Sequence, residues 1–268
     1  MDAQRIRQTV LGIVILVALG FFWQRGGAPD DAETADAGRL NGGAASNPVS
    51  VDVPASTVPA PAPKLPTAEA KADFDYYVLV LSWSPTHCSS DAGRGRDDEL
   101  QCRAGRPYGF VMHGLWPQNE RGYPQSCASD QPRVVSSMVM RDALKLSPSE
   151  QLIQHEWEKH GTCSGLSQED YFATAALAAE AIKVPQVYRA PQRPIVTTPN
   201  NVRRAFLDAN RAIPQDGLSA TCSRNELGEV WVCLDKGLHP RACSNDVRKR
   251  HCGGREVRML AVRGDWPR

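Results

Sequence analysis

The 268-residue chain lacks any apolar run long enough to cross a bilayer as a helix. Its longest, Val10 to Trp23, has fourteen residues, against the roughly 20 that a helical span needs. Net charge is also nearly absent. The 31 Lys and Arg against 30 Asp and Glu leave +1, so no bulk field gathers an anionic partner. A nucleic acid would have to be held by local groups. Cysteine is missing before Cys88, the first of eight. The zinc-peptidase pattern H-E-x-x-H is missing too, although H-E-W-E-K-H-G-T-C at His155 to Cys163 comes near it. Its two histidines are five apart, roughly 140° around a helix of 3.6 residues per turn. They cannot both face one ion, so no metal site is expected here.

These absences divide the chain. Arg5 and Arg7 ahead of the apolar run give residues 1–26 the form of a targeting segment. Gln24 and Arg25 interrupt the place for a small-residue cleavage site. The segment therefore reads either as a cleaved signal peptide or as an uncleaved anchor attached to the membrane through residues 10–23. Both readings export the remainder, to the periplasm or beyond the cell. Residues 27–72 are rich in Ala and Pro and keep no apolar period, so they read as a disordered linker. The folded domain is expected over 73–268. An even number of cysteines in an exported domain argues for four disulfides, which sequence alone can pair in 105 ways.

Within that domain, H-E-W-E-K-H-G-T-C dominates. Ser147 reads as a helix N-cap, Pro148 as the first helical residue and Glu150 as the far member of a capping box. Gly161 suits a left-handed C′ position. A helix over about 148–160 places Glu156, Lys159 and His160 on one face, with His155 one turn before Lys159.

Asp75 to Trp83 is a continuous apolar run suited to a central strand covered on both faces. Tyr108 to His113 is a second strand, stopped by a turn at Gly114 to Pro117, with Gly109, Val111 and His113 on one face. His87, at the mouth of the Cys88–Cys102 loop, is given no role. Helices are expected over 134–144, 168–183 (capped by Ser167) and from Thr198-Pro199 onward. A Pro-rich loop should span 185–199. Strands are expected over 218–224, 229–234 and 256–262, with Glu226 to Gly228 as a hairpin turn. Strands, then helices, then strands make an α+β fold. Arg248, Lys249, Arg250, Arg255 and Arg258 read either as a solvated loop or as contacts to RNA phosphates.

H-G-L-W-P at His113 to Pro117, followed by H-E-W-E-K-H-G-T-C, resembles the ribonuclease T2 family. Leu81 to Cys88 and Val230 to Lys236 are similar to that family's first and late strands. The resemblance covers about 74–262. It implies a central, largely antiparallel sheet flanked by helices. It also implies the disulfides Cys88–Cys102, Cys127–Cys163, Cys222–Cys252 and Cys233–Cys243.

The implied activity is cleavage of single-stranded RNA by its own 2′-hydroxyl, with no metal or cofactor. His160 would be the general base and His113 the general acid. Glu156 and Lys159 would stabilise the transition state, His155 would bind phosphate and Trp116 would line the pocket. A 2′,3′-cyclic phosphate would form first and be opened by water. Gln118 stands where some relatives carry an adenine-selecting acid, so that preference is not implied. Tyr123 reads either as a base-stacking ring or as packing. Two other classes are weighed against this one. A non-catalytic RNA-binding module would have lost His113 or His160, and a metal-dependent hydrolase conflicts with the histidine spacing.

Overall fold

A computed structural model describes residues 73–267. The expected targeting segment and linker lie outside the described residues. Among the described residues, no helix is long and apolar enough to cross a membrane.

Six strands form one sheet in the order β2-β1-β5-β6-β3, with β4 pairing β5. β1 (Tyr76–Trp83) lies between β2 (Phe110–Gln118) and β5 (Glu226–Leu234), antiparallel to both. β4 (Leu218–Ser223) and β5 form a hairpin, and β3 (Ile195–Thr197) pairs with β6 (Val257–Met259). Only the β5–β6 contact, at Glu226 and Arg258, is parallel.

The helices are α1 (Ser84–Ser89), α2 (Glu99–Cys102), α3 (Ser137–Ala143), α4 (Glu150–Lys159), α5 (Gln168–Ala181), α6 (Pro199–Ala209) and α7 (Asn245–Arg248). Their sequences supply the start signals. Ser136, Ser149, Ser167 and Thr198 each accept a backbone N–H in the first turn. Such a cap is worth about 1 kcal/mol.

Alternation on the strands separates two cores. Tyr77, Leu79, Leu81 and Trp83 of β1 join Val230, Val232 and Leu234 of β5 beneath Ala175 and Ala178 of α5 and Val202 and Phe206 of α6. The opposite face carries a smaller cluster of Tyr76, Val78, Val80, Cys233 and Val247, with Trp116 and Trp231 packed against it. The larger core holds the sheet, which leaves the second face free to carry chemistry.

Several expectations need correction. α4 starts at Glu150, capped by Ser149 rather than Ser147. The Leu146 carbonyl accepts from Met112 N–H, and Ser149 N–H donates to the Ser147 carbonyl, so 146–148 serve as a strap to β2 instead of a first turn. α3 begins at Ser137, after its cap. The hairpin turn is Arg224-Asn225, with Arg224 at φ 56°, and Glu226 to Gly228 already belong to β5. β3 lies within the stretch read as a Pro-rich loop, and the loop closed by Cys88 and Cys102 runs from the end of α1 through two 3₁₀ turns to α2. The bonded cysteine pairs are Cys88–Cys102, Cys127–Cys163, Cys222–Cys252 and Cys233–Cys243.

Candidate active site

H-G-L-W-P is not a turn. β2 runs through it to Gln118 and carries a β-bulge at the histidine. Leu81 pairs with Met112 and Val80 with Gly114, so His113 has no partner on β1. A bulge adds one residue to one strand and re-aims the side chains that follow. Simple alternation would put Trp116 on the opposite face from Val111. With the extra residue, Val111 lies opposite Ser82 and Trp116 opposite Val78, on one face of β1. His113 is therefore carried mid-strand, not at a strand end. Pro117 is tolerated because β2 is an edge strand.

α4 brings the second motif over this face. Ile153 and Trp157 anchor it against Tyr171 and Phe172. Glu156 (3% exposed) and His160 (2%) are turned inward. Gly161 does not adopt a left-handed conformation, because the helix tightens into a 3₁₀ turn over Gly161–Cys163. A glycine is needed there for closeness instead, since a Cβ would lie 2.3 Å from the Trp157 ring. The Cys127–Cys163 bond and a Ser126 N–H donated to the Lys159 carbonyl (2.8 Å) tie the helix end to the loop after β2.

Two indoles hold two carboxylates around His113. Trp116 Nε1 donates to Glu156 Oε2 (2.6 Å), and Trp231 Nε1 donates to Glu229 Oε2 (2.7 Å). His113 Nδ1 donates to Glu229 Oε1 at 2.5 Å, and its Nε2 stands 3.4 Å from Glu156 Oε1. The second contact is an ion-pair approach without hydrogen-bond geometry, so Glu156 Oε1 is buried without a hydrogen-bond partner. Burial alone would lower the His113 pKa, but the two carboxylates beside the ring, Glu156 by its near approach and Glu229 by its bond and charge, outweigh it and push it up to about 10. Burial would raise the Glu229 pKa, and the bond and charge of His113 hold it below the ordinary value.

His160 lies in the opposite environment. Its ring stacks on Trp116 at 4.9 Å with planes 19° apart, and its Nδ1 is buried without a partner. Burial lowers its pKa to about 4. Glu156 opposes this, and the charges of Lys159, His113 and His155 reinforce it.

A family model for the ribonuclease T2 family matches residues 74–243, which include both histidine motifs. The chain belongs to the ribonuclease T2 family. It is an RNA-cleaving enzyme of that family. A ribonuclease of Aeromonas hydrophila is 37% identical over 210 residues, covering 71% of this chain and 87% of its own length. Extracellular ribonuclease LE of Solanum lycopersicum is 29% identical over 193 residues, covering 64% and 80%. Among solved structures, an RNase-related protein from Calystegia sepium matches with a TM-score of 0.55 at 21% identity, covering 70% of this chain and 98% of its own. That likeness speaks for the fold.

In this ribonuclease the two histidines open onto different clefts. One, of about 600 Å³, is lined by Trp116, Gln118, Tyr123, Lys159, His160 and Trp231, and also by Lys249 and Arg250. The other, of about 430 Å³, is lined by Ser82, His87, Val111, His113, His155 and Glu229. His155 therefore stands on the His113 side, apart from Lys159. His87, given no role from sequence, pairs with Asp98 at 2.9 Å on the wall of that second cleft. Of the basic run, Lys249 and Arg250 reach the first cleft, whereas Arg248 is engaged with Asp216 and Arg258 borders a separate hollow.

Sequence reasoning missed Glu229, Trp231 and Gly114. Alternation along β5, with Val230, Val232 and Leu234 in the main core, was the available signal for the first two. Among the described residues, no group of three or more His, Cys, Asp or Glu is arranged to hold a metal ion.

Proposed function

We propose that the protein is an exported endoribonuclease that cleaves single-stranded RNA through the substrate's own 2′-hydroxyl. The observation that carries this reading is the opposed setting of the two histidines: His113 lies between the carboxylates of Glu229 and Glu156, whereas His160 is buried against Trp116 with no partner on Nδ1. A pKa of about 4 leaves His160 unprotonated at neutral pH, so it can accept the 2′-hydroxyl proton. A pKa of about 10 leaves His113 protonated, so it can donate to the departing 5′-oxygen. Two titratable groups pushed apart by their surroundings mark an acid and a base. The nucleophile belongs to the substrate, so the chemistry needs no metal-bound water and no enzyme nucleophile.

The clefts then divide the substrate. The nucleoside bearing the attacking hydroxyl occupies the His160 side, against Trp116 and Tyr123. The leaving nucleoside occupies the His113 side, where His155 is available to a phosphate. The phosphoryl group lies between them, near Glu156 and Lys159. Lys159 offsets its growing charge, and fixed charges in a dehydrated site act strongly on such a group. The first product is a 2′,3′-cyclic phosphate. Water then opens it with the histidine roles reversed, leaving a 3′-phosphate. Four disulfides and the likeness to an extracellular ribonuclease support action outside the cytoplasm, reached through residues 1–26.

A strand with one ribose among deoxyriboses tests this. It should be cut only on the 3′ side of that ribose. The upstream fragment should first appear one water lighter than the linear phosphate. A 2′-methoxy group at the same position should abolish cutting. Cleavage of the all-deoxy strand at a comparable rate would refute the proposal.

A further inference from the structure

We infer that Glu229 is the positioning residue of the acid: it fixes the His113 ring and holds it protonated for delivery of a proton to the leaving oxygen. The inference rests on the acid role proposed for His113.

A carboxylate can only accept, so the 2.5 Å contact requires Nδ1 to carry a proton. That bond fixes the ring's rotation and turns Nε2 toward Glu156 and the space between the clefts. Nε2 lacks a well-aligned protein acceptor, so it is the nitrogen left for substrate. Glu229 is itself held. It lies on β5 opposite Ser82, and its other oxygen takes the Trp231 N–H. The arrangement is a relay of fixed geometry from Trp231 through Glu229 to His113, with the small Ser82 on the strand between.

Other charged groups near His113 do not replace this contact. Glu156 approaches from α4 at 3.4 Å but spends its better-bonded oxygen on Trp116. His155, His87 and Asp98 border the same cleft, with Asp98 engaged by His87. His160 lies beyond Trp116 and is uncharged at neutral pH, its own protonation being opposed by the charge of His113.

Glu229→Gln is the informative substitution. The amide has one acceptor and one donor end, and the Trp231 indole can only donate. The carbonyl therefore goes to Trp231, and the NH₂ faces Nδ1, which can then bond only as an acceptor. A neutral ring with the proton on Nε2 becomes favoured.

The test compares two substrates. A mixed-sequence oligonucleotide has a leaving alkoxide that needs a proton, whereas nucleoside 3′-(4-nitrophenyl phosphates) have a leaving group that does not. Acid catalysis contributes about 10²–10⁴-fold. Glu229→Gln should lose about 100-fold or more in kcat on the oligonucleotide, with KM little changed, and keep its rate on the nitrophenyl esters. The alkaline limb of its oligonucleotide pH profile should fall by about a unit or more, the effect of removing a neighbouring opposite charge. Glu229→Asp, which restores the charge at a greater distance, should recover part of both losses and guards against a folding defect. Equal losses on both substrates, or an unmoved alkaline limb, would overturn the inference. His113→Ala in the same assays separates the two readings. If it loses only oligonucleotide cleavage while Glu229→Gln does not, the acid role stands and the inference falls. If it cleaves oligonucleotide normally, both fall.

Discussion

Gly114 has no side chain to do chemistry, yet substituting it should remove most of the activity. A Cβ at this position would lie 1.9 Å from Glu156 Oε2, 2.6 Å from Trp116 Nε1 and 2.8 Å from Glu156 Cδ. Ordinary contact begins near 3.4 Å, so the carboxylate would have to withdraw by about 1.5 Å. Its surroundings resist this. Glu156 is buried on α4, and that helix is held by Trp157 and by the Cys127–Cys163 bond. The movement would break the 2.6 Å bond from Trp116, the ring on which His160 stacks.

Two magnitudes follow from Gly114→Ala. Overpacking a filled interior costs about 1–3 kcal/mol, and a buried acceptor stripped of its donor costs a similar amount. The fold should survive with a lowered Tm. Displacement of catalytic groups by about 1 Å can cost on the order of 100-fold in rate, so kcat should fall at least that far, even well below the new Tm. The measurements are thermal unfolding followed by circular dichroism and single-turnover cleavage of an oligonucleotide. A Gly114→Ala protein with near wild-type kcat would show that Glu156 does not need its present place against β2. The electrostatic argument around His113 and His160 would then lose one of its supports.

For the wild-type enzyme, kcat/KM should be flat across neutral pH, falling below about 4 as His160 gains a proton and above about 10 as His113 loses one. Two limbs close together near the ordinary histidine pKa, about 6.5, would contradict the opposed tuning. Replacing both Cys127 and Cys163 with Ala should lower stability by about 2–4 kcal/mol and also reduce kcat, because that bond holds the end of α4 to the loop after β2. Removing Cys222–Cys252, which joins β4 to the segment after α7, should affect stability with little change in kcat, and the reverse pattern would count against this account.

Local chemistry was legible in the chain, whereas long-range geometry was not. Ser167 and Thr198 cap the expected helices because an N-cap needs only its own first turn. The β1 run declared a strand buried on both faces, and both cores do close over it. Ser147 reads as the cap from its place before Pro148, yet Ser149 caps α4; the strap from Leu146 to Met112 displaces the start, and it depends on β2. Gly161 fitted a C-cap by position, but its reason is the Trp157 ring. Glu229 is 116 residues from His113. Alternation along β5 turns it away from the main core, but a partner for it exists only once β5 is placed beside β1 and the bulge turns His113 toward it.

The bulge connects the fold most directly to the chemistry. An unbroken period of two on β2 would set Trp116 behind the sheet, away from Val111. With one residue unpaired, His113 and Trp116 both come to the face beneath α4. Trp116 then touches both histidines of the proposed acid–base pair and one of the carboxylates beside them. It stacks on His160, donates to Glu156 and meets the His113 ring edge-on at 5.2 Å. Its apolar face covers one histidine and excludes the water that would stabilise a charge there. Its N–H holds one of the carboxylates that stabilise charge on the other. One indole thus helps to push the two histidines in opposite directions. In H-G-L-W-P the spacing of His, Gly and Trp matters as much as their identities: the histidine fills the bulge, the glycine admits Glu156, and the tryptophan arrives between the two histidine rings.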